Sequence, residues 1–176
     1  MSLISDEYVA LNQELHERNP IFGMSSKHHI PMLRALTLEK NVKTILDYGC
    51  GKGLLRKKLG PMVREYDPGI KGKDSLPEPA QMVVCIDVLE HIEPDHLPAV
   101  LNHLKELTKE VLYLTVACYP AQKHLADGRN AHLIIEPPSW WLPKLLERFH
   151  LESYQAKYQG DDIAFTSILT CLRSTT

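Results

Sequence analysis

Apolar residues recur along this chain in two rhythms, one helical and one extended. Tyr8, Leu11 and Leu15 share one face of a helix predicted over 5–17, and Ile30, Leu33 and Leu36 do the same over 26–38, where Pro31 falls early enough to be tolerated in the first turn. Leu97, Val100, Leu101, Leu104 and Leu107 form a stripe over 95–109, with Asp95 as its expected cap. Trp140, Trp141, Leu142, Leu145, Leu146 and Phe149 mark another helix after Ser139. Short runs rich in β-branched and aliphatic residues at 44–46, 62–66, 82–87, 111–116, 151–158 and 163–172 read as strands, the last two around a Gly160-Asp161-Asp162 turn. Strands alternating with helices define an α/β domain with a mostly parallel sheet, and the closing pair reads as an antiparallel C-terminal hairpin.

The stretch 44–59, TILDYGCGKGLLRKKL, passes from strand through a glycine turn into a helix. Gly49, Gly51 and Gly53 alternate around Cys50 in that turn, where a missing Cβ permits positive φ and close approach of a ligand. Asp47 precedes them at the carboxyl end of the strand, the edge at which open α/β sheets bind ligands. Asp67 ends the second strand about 20 residues beyond the start of this motif, placed to accept hydrogen bonds from ribose hydroxyls. Glu65 competes for that role but lies within the strand, so Asp67 is preferred.

The Asp-x-Gly-x-Gly-x-Gly spacing resembles the first motif of the class I S-adenosylmethionine-dependent methyltransferases. Asp87-Val88-Leu89-Glu90-His91-Ile92, after an apolar strand, resembles the fourth motif of the small-molecule members. The two motifs and Asp67 stand in family order over about 50 residues. The resemblance implies a Rossmann-like fold and S-adenosyl-L-methionine as cofactor, held by Asp47, Gly49, Cys50, Gly51, Gly53, Asp67 and Asp87. Residues 68–81 are too few for a further helix, strand and helix, so the family's third strand is short or missing, and Asp74 becomes the candidate for the adenine amino group. Residues 1–40 would form an N-terminal helical cap on a core at 41–176, together a single domain.

Transfer to an oxygen, nitrogen, carbon or sulfur nucleophile needs a base only if the nucleophile carries a proton. Candidates are His132, in a polar loop at 122–136, His91, and His28 or its neighbour His29 in the segment 21–29. Glu136-Pro137-Pro138-Ser139-Trp140 looks like an amino-group methyltransferase motif but follows the wrong strand. Tyr48, Tyr119 and the tryptophans are expected to pack in the core.

A net charge of -2 gives no attraction to phosphate backbones, so nucleic acid is disfavoured and a small-molecule acceptor preferred; a protein partner or homo-oligomer stays open. Four dispersed cysteines without a C-x-x-C pair read as buried hydrophobes, and nine histidines without metal spacing lead to the expectation of no metal. The N-terminus lacks signal-peptide character and no stretch approaches a membrane span, so a cytoplasmic protein is expected. The alternative is a cofactor-binding subunit without turnover that acts with a partner. A dinucleotide-dependent dehydrogenase is disfavoured by the glycine spacing.

Overall fold

The computed structural model describes residues 2–19 and 25–171. The stretch 21–24 of the segment before the second helix lies outside them. The elements run α1 (Asp6–Arg18), a 3₁₀ turn (Ser25–His29), α2 (Ile30–Glu39), β1 (Ile45–Tyr48), α3 (Leu54–Leu59), β2 (Val63–Tyr66) and β3 (Ala80–Ile86). Two 3₁₀ turns (Leu89–His91 and Pro94–His96) lead into α4 (Leu97–Leu107), β4 (Thr108–Ala117), α5 (Pro138–Leu146), β5 (Phe149–Gln159) and β6 (Asp162–Cys171).

The sheet has the order β2-β1-β3-β4-β6-β5. β1 to β4 are parallel, while β6 runs antiparallel to both β4 and β5. No strand forms between β2 and β3 among the described residues, as the short 68–81 connection requires. The order reverses between β1 and β3, which opens a crevice at their carboxyl ends.

Alternation within β3 divides the core. Val83 and Cys85 join Leu101 and Leu104 of α4 and Trp141 and Leu145 of α5 on one face of the sheet. Met82, Val84 and Ile86 join Leu33 and Leu36 of α2 and Leu55 of α3 on the other. A strand apolar on both faces is what such two-sided cover demands. No described helix is long and apolar enough to cross a membrane.

Two local expectations are corrected. Asp95 does not cap α4: it sits exposed in the turn before it, and the helix starts with Pro98 in its first turn and no side-chain cap. Ser139 lies inside α5, whose cap is Pro137, and Phe149 begins β5 instead of ending that helix. The two N-terminal helices differ in placement: α2 packs into the core through Leu33 and Leu36, whereas α1 lines the crevice with Tyr8, Asn12 and His16.

Candidate active site

A cavity of about 530 Å³ fills the crevice, within the range of small-molecule sites. Asp47, Cys50 and Gly51 line it from the β1 end, Asp67 and Gly69 from beyond β2, and Asp87, Val88 and His91 from beyond β3. Tyr119 and His132 close the far wall, and Tyr8, Asn12 and His16 of α1 form the remaining side.

The glycine loop is fixed by backbone bonds. The Gly49 and Cys50 N-H groups donate to the Tyr66 carbonyl at 2.8 and 3.1 Å, and Gly51 N-H donates to Asp67 Oδ2 at 2.9 Å. The other Asp67 oxygen accepts from Gly69 N-H at 3.0 Å. Asp67 therefore ties the two loops together while lining the cavity. A carboxylate has about four lone-pair sites, so capacity for a ribose hydroxyl is left. Gly49 and Gly53 both hold positive φ, and a Cβ would strike Val88 at the first and Glu65 Oε1 at the second. These two glycines are needed for close packing of the loop on β2 and the Val88 turn. Gly49 and Gly51, with Cys50 between them, line the cavity, whereas Gly53 does not.

Asp47 is buried, yet its carboxylate faces the cavity and accepts no hydrogen bond among the described residues. Burial, reinforced by the charge of Glu65, pushes its pKa up to about 8. A partnerless buried acid of this kind suits a cationic ligand group such as an amino acid ammonium. Asp87 adopts φ 52, a conformation rare outside glycine, and is held there by Thr115, whose hydroxyl donates to Asp87 Oδ1 at 2.6 Å. Strain at a residue facing a cavity is common where geometry serves binding.

The loop after β4 is ordered by Asn130. Its Oδ1 accepts from the Ala121 and His132 N-H groups, both at 2.9 Å, and its Nδ2 donates to the Ala121 carbonyl at 2.8 Å. Asp127 closes the tip by accepting from Arg129 N-H at 2.9 Å. The turn-making roles of Asp127 and Asn130 and the placement of His132 in the cavity wall are thus one arrangement. Leu133 and Ile134 N-H groups then donate to the Glu90 carbonyl at 2.8 and 3.0 Å, seating the loop on the Leu89–His91 turn.

His91 and His132 meet edge to face with ring centroids 4.8 Å apart. Burial, with the neighbouring His132, lowers the His91 pKa to about 4, so this imidazole is neutral at pH 7. Beside them Glu90 is fully buried, and burial together with the charge of Asp87 raises its carboxyl pKa well above the ordinary value.

Three predicted site residues lie elsewhere. Gly53 caps α3 behind the loop, outside the cavity wall. Asp74 is exposed and accepts from Gly72 N-H at 3.1 Å, shaping its own turn away from the cavity. His28 is exposed in the 3₁₀ turn, while the adjacent His29 Nδ1 contacts Tyr113 Oη at 2.8 Å. Glu65 pairs with Lys73 at 3.2 Å and lies outside the cavity wall, whereas Asp67 lines it. Tyr8, Glu90 and Asn130 were missed as site builders. Tyr8 reads as one more apolar helix position, yet its hydroxyl donates to the His91 carbonyl at 2.5 Å and holds α1 against the crevice. Ser5 adds to this, donating from N-H and Oγ to the Glu93 carboxylate at 2.9 and 2.7 Å.

A parallel sheet with a reversal at β1 and β3 and a pinned glycine turn at its carboxyl end define a Rossmann-like fold of the kind that binds nucleotide-type cofactors. A family profile described as a methyltransferase domain matches residues 29–158, and the chain belongs to that family. Its cofactor is S-adenosyl-L-methionine. No curated protein matches the sequence. Among solved structures, the N-methyltransferase NodS of Bradyrhizobium japonicum WM9, in complex with S-adenosyl-L-homocysteine, is 14% identical, with a TM-score of 0.64 over 96% of this chain and 100% of that one. The 1,6-didemethyltoxoflavin-N1-methyltransferase of Burkholderia thailandensis, bound to 1,6-didemethyltoxoflavin and S-adenosylhomocysteine, is 13% identical, with a TM-score of 0.65 over 95% and 90%. The magnesium protoporphyrin IX methyltransferase of Synechocystis PCC 6803, with S-adenosylhomocysteine, gives 14% and 0.57 over 94% and 86%.

Proposed function

We propose that this methyltransferase acts on a small molecule bound between the Asp87 turn, the His91 and His132 rings and α1. The observation that carries this reading is the partnerless Asp47 carboxylate above the Asp67-pinned loop, which suits the cofactor's ammonium and ribose and leaves the histidine end for an acceptor. When bound, the cofactor supplies an electrophilic sulfonium methyl. Asp47 holds the ammonium, Asp67 and the Gly51 loop hold the ribose end, and α1 excludes water from the cavity. Holding nucleophile and methyl in line can supply roughly 7 to 11 kcal/mol of the barrier. The absence of net positive charge and the enclosure of the cavity by a single chain favour a small acceptor over nucleic acid. The toxoflavin and protoporphyrin enzymes of like fold, which are named for small-molecule acceptors, are consistent with this choice.

Calorimetric titration with S-adenosylmethionine, S-adenosylhomocysteine and NAD tests the cofactor assignment. Micromolar binding of the first two without NAD is expected, and failure of both to bind overturns the reading. His132→Ala should keep S-adenosylhomocysteine affinity within about threefold and lower turnover by about 10²-fold or more. Unchanged turnover on an accepted substrate would remove His132 from the site.

A further inference from the structure

We propose that Glu90, His91 and His132 bind a divalent metal cation of borderline hardness, such as Zn²⁺ or Co²⁺, at the acceptor end of the cavity. One ligand atom from each of the three lies within 4.8 Å of the others. Donors around a tetrahedral cation bonded at about 2.0–2.2 Å stand about 3.4 Å apart, so closure draws each pair together by at most about 1.4 Å, within reach of side-chain rotation.

The donor chemistry is already set. His91 Nδ1 lies 2.6 Å from the Ala131 carbonyl and His132 Nδ1 lies 2.6 Å from the Tyr119 carbonyl. A carbonyl only accepts, so both rings carry their proton on Nδ1 and, when neutral, a lone pair on Nε2. Backbone carbonyls holding the Nδ1 proton are the usual support behind metal-binding imidazoles.

Glu90 provides an independent observation. Its residue is 0% exposed, one carboxylate oxygen accepts from Ala117 N-H at 3.0 Å, and Oε2 has no hydrogen-bond partner among the described residues. A buried carboxylate oxygen without a partner is costly. A cation held by the three residues would give that oxygen a partner. Two imidazoles and one carboxylate leave open coordination positions, as in catalytic metal sites. His91 and His132 line the cavity whereas Glu90 stands behind them, so the open positions face the acceptor.

Resting on the methyl-transfer reading, the cation would take a hydroxyl oxygen of the acceptor and lower its pKa. The hydroxyl proton leaves to solvent, the new O–CH₃ bond forms as the S–CH₃ bond breaks, and the sulfonium departs as a neutral thioether. In this role the histidine pair holds a cation and does not itself carry the proton.

The test is titration of the chelator-treated protein with Co²⁺, followed by its visible absorption, with S-adenosylhomocysteine calorimetry on the same samples. One equivalent should bind, His132→Ala and His91→Ala should each weaken it by about 100-fold or more, and the exposed His150→Ala should bind as the parent does. X-ray absorption of the Zn²⁺-loaded parent needs no variant and should count two imidazole ligands. Absence of binding, loss in neither variant, or no imidazole around Zn²⁺ overturns the site. Cofactor binding without Co²⁺ binding rejects the metal while leaving the methyltransferase reading intact; Co²⁺ binding without cofactor binding does the reverse.

Discussion

Asp47 is the residue whose surroundings say most about its task. Its neutral form is favoured by burial and by Glu65, so between pH 4 and 8 the folded chain holds a proton that the unfolded chain has lost. The folded-state pKa is raised, and this group's contribution to stability therefore falls as pH rises from about 4 to 8 and is level above. A cationic ligand group reverses the preference and expels that proton. Affinity for S-adenosylhomocysteine should then rise by about tenfold per unit between pH 6 and 7.5, with proton release visible in calorimetry across buffers of different ionisation enthalpy. Asp47→Asn should flatten this slope, and a slope that survives the substitution would take Asp47 out of contact with the ammonium. Asp67→Ala should weaken the same affinity by about 10- to 100-fold, since it strands the Gly51 and Gly69 N-H groups as well as removing a ribose acceptor. Wild-type affinity in that variant would leave Asp67 a structural brace only. Both acids were legible in the sequence, because a strand end followed by glycine is a local pattern. Asp74 was not placed correctly, since whether an exposed turn folds toward a cavity depends on contacts that no local pattern contains.

The loop between β4 and α5 shows what an element adds to its residues. Its polar, aperiodic sequence marks it as a loop, but the conformation comes from Asn130 bonding Ala121 and His132 at once. Asn130→Ala leaves those N-H groups to water or unmet and should cost about 1 to 3 kcal/mol locally. Hydrogen exchange of the Ala121 and His132 amides should quicken, with acceptor KM raised more than S-adenosylhomocysteine affinity. Unchanged exchange at both amides would mean that the loop holds its shape by other means. The glycine turn behaves differently. Gly53→Ala places a Cβ against Glu65 at φ 71, so unfolding by urea should show a loss of about 1 to 3 kcal/mol. A stability equal to the parent's would show that Glu65 and Lys73 simply swing aside.

At the scale of the whole molecule, the cavity exists because α1 is held across the crevice by Tyr8, Ser5 and the cluster of Tyr8 and Leu15 with Leu125 and Ala131. Its wall is therefore drawn from both ends of the crevice and from a helix that precedes the sheet. Saturation with S-adenosylhomocysteine at 100 times its Kd should stabilise the fold by about 2.7 kcal/mol and slow hydrogen exchange in α1 together with the glycine turn. Protection confined to the glycine turn would show that α1 stands apart from the cofactor. The sequence by itself determined the α/β class, the parallel sheet with its antiparallel close, the glycine turn and the acids at the ends of β1 and β2. These are set by residue periodicity and by backbone constraints within a few positions, which a chain carries wherever it folds. Only the tertiary structure decided that Glu90 and His91 meet His132 across 41 residues of chain, that Asn130 shapes the loop delivering it, and that α1 covers the crevice while α2 does not. No local spacing encodes those meetings, because they follow from how β3 and β4 lie side by side and present their following turns to the same cavity.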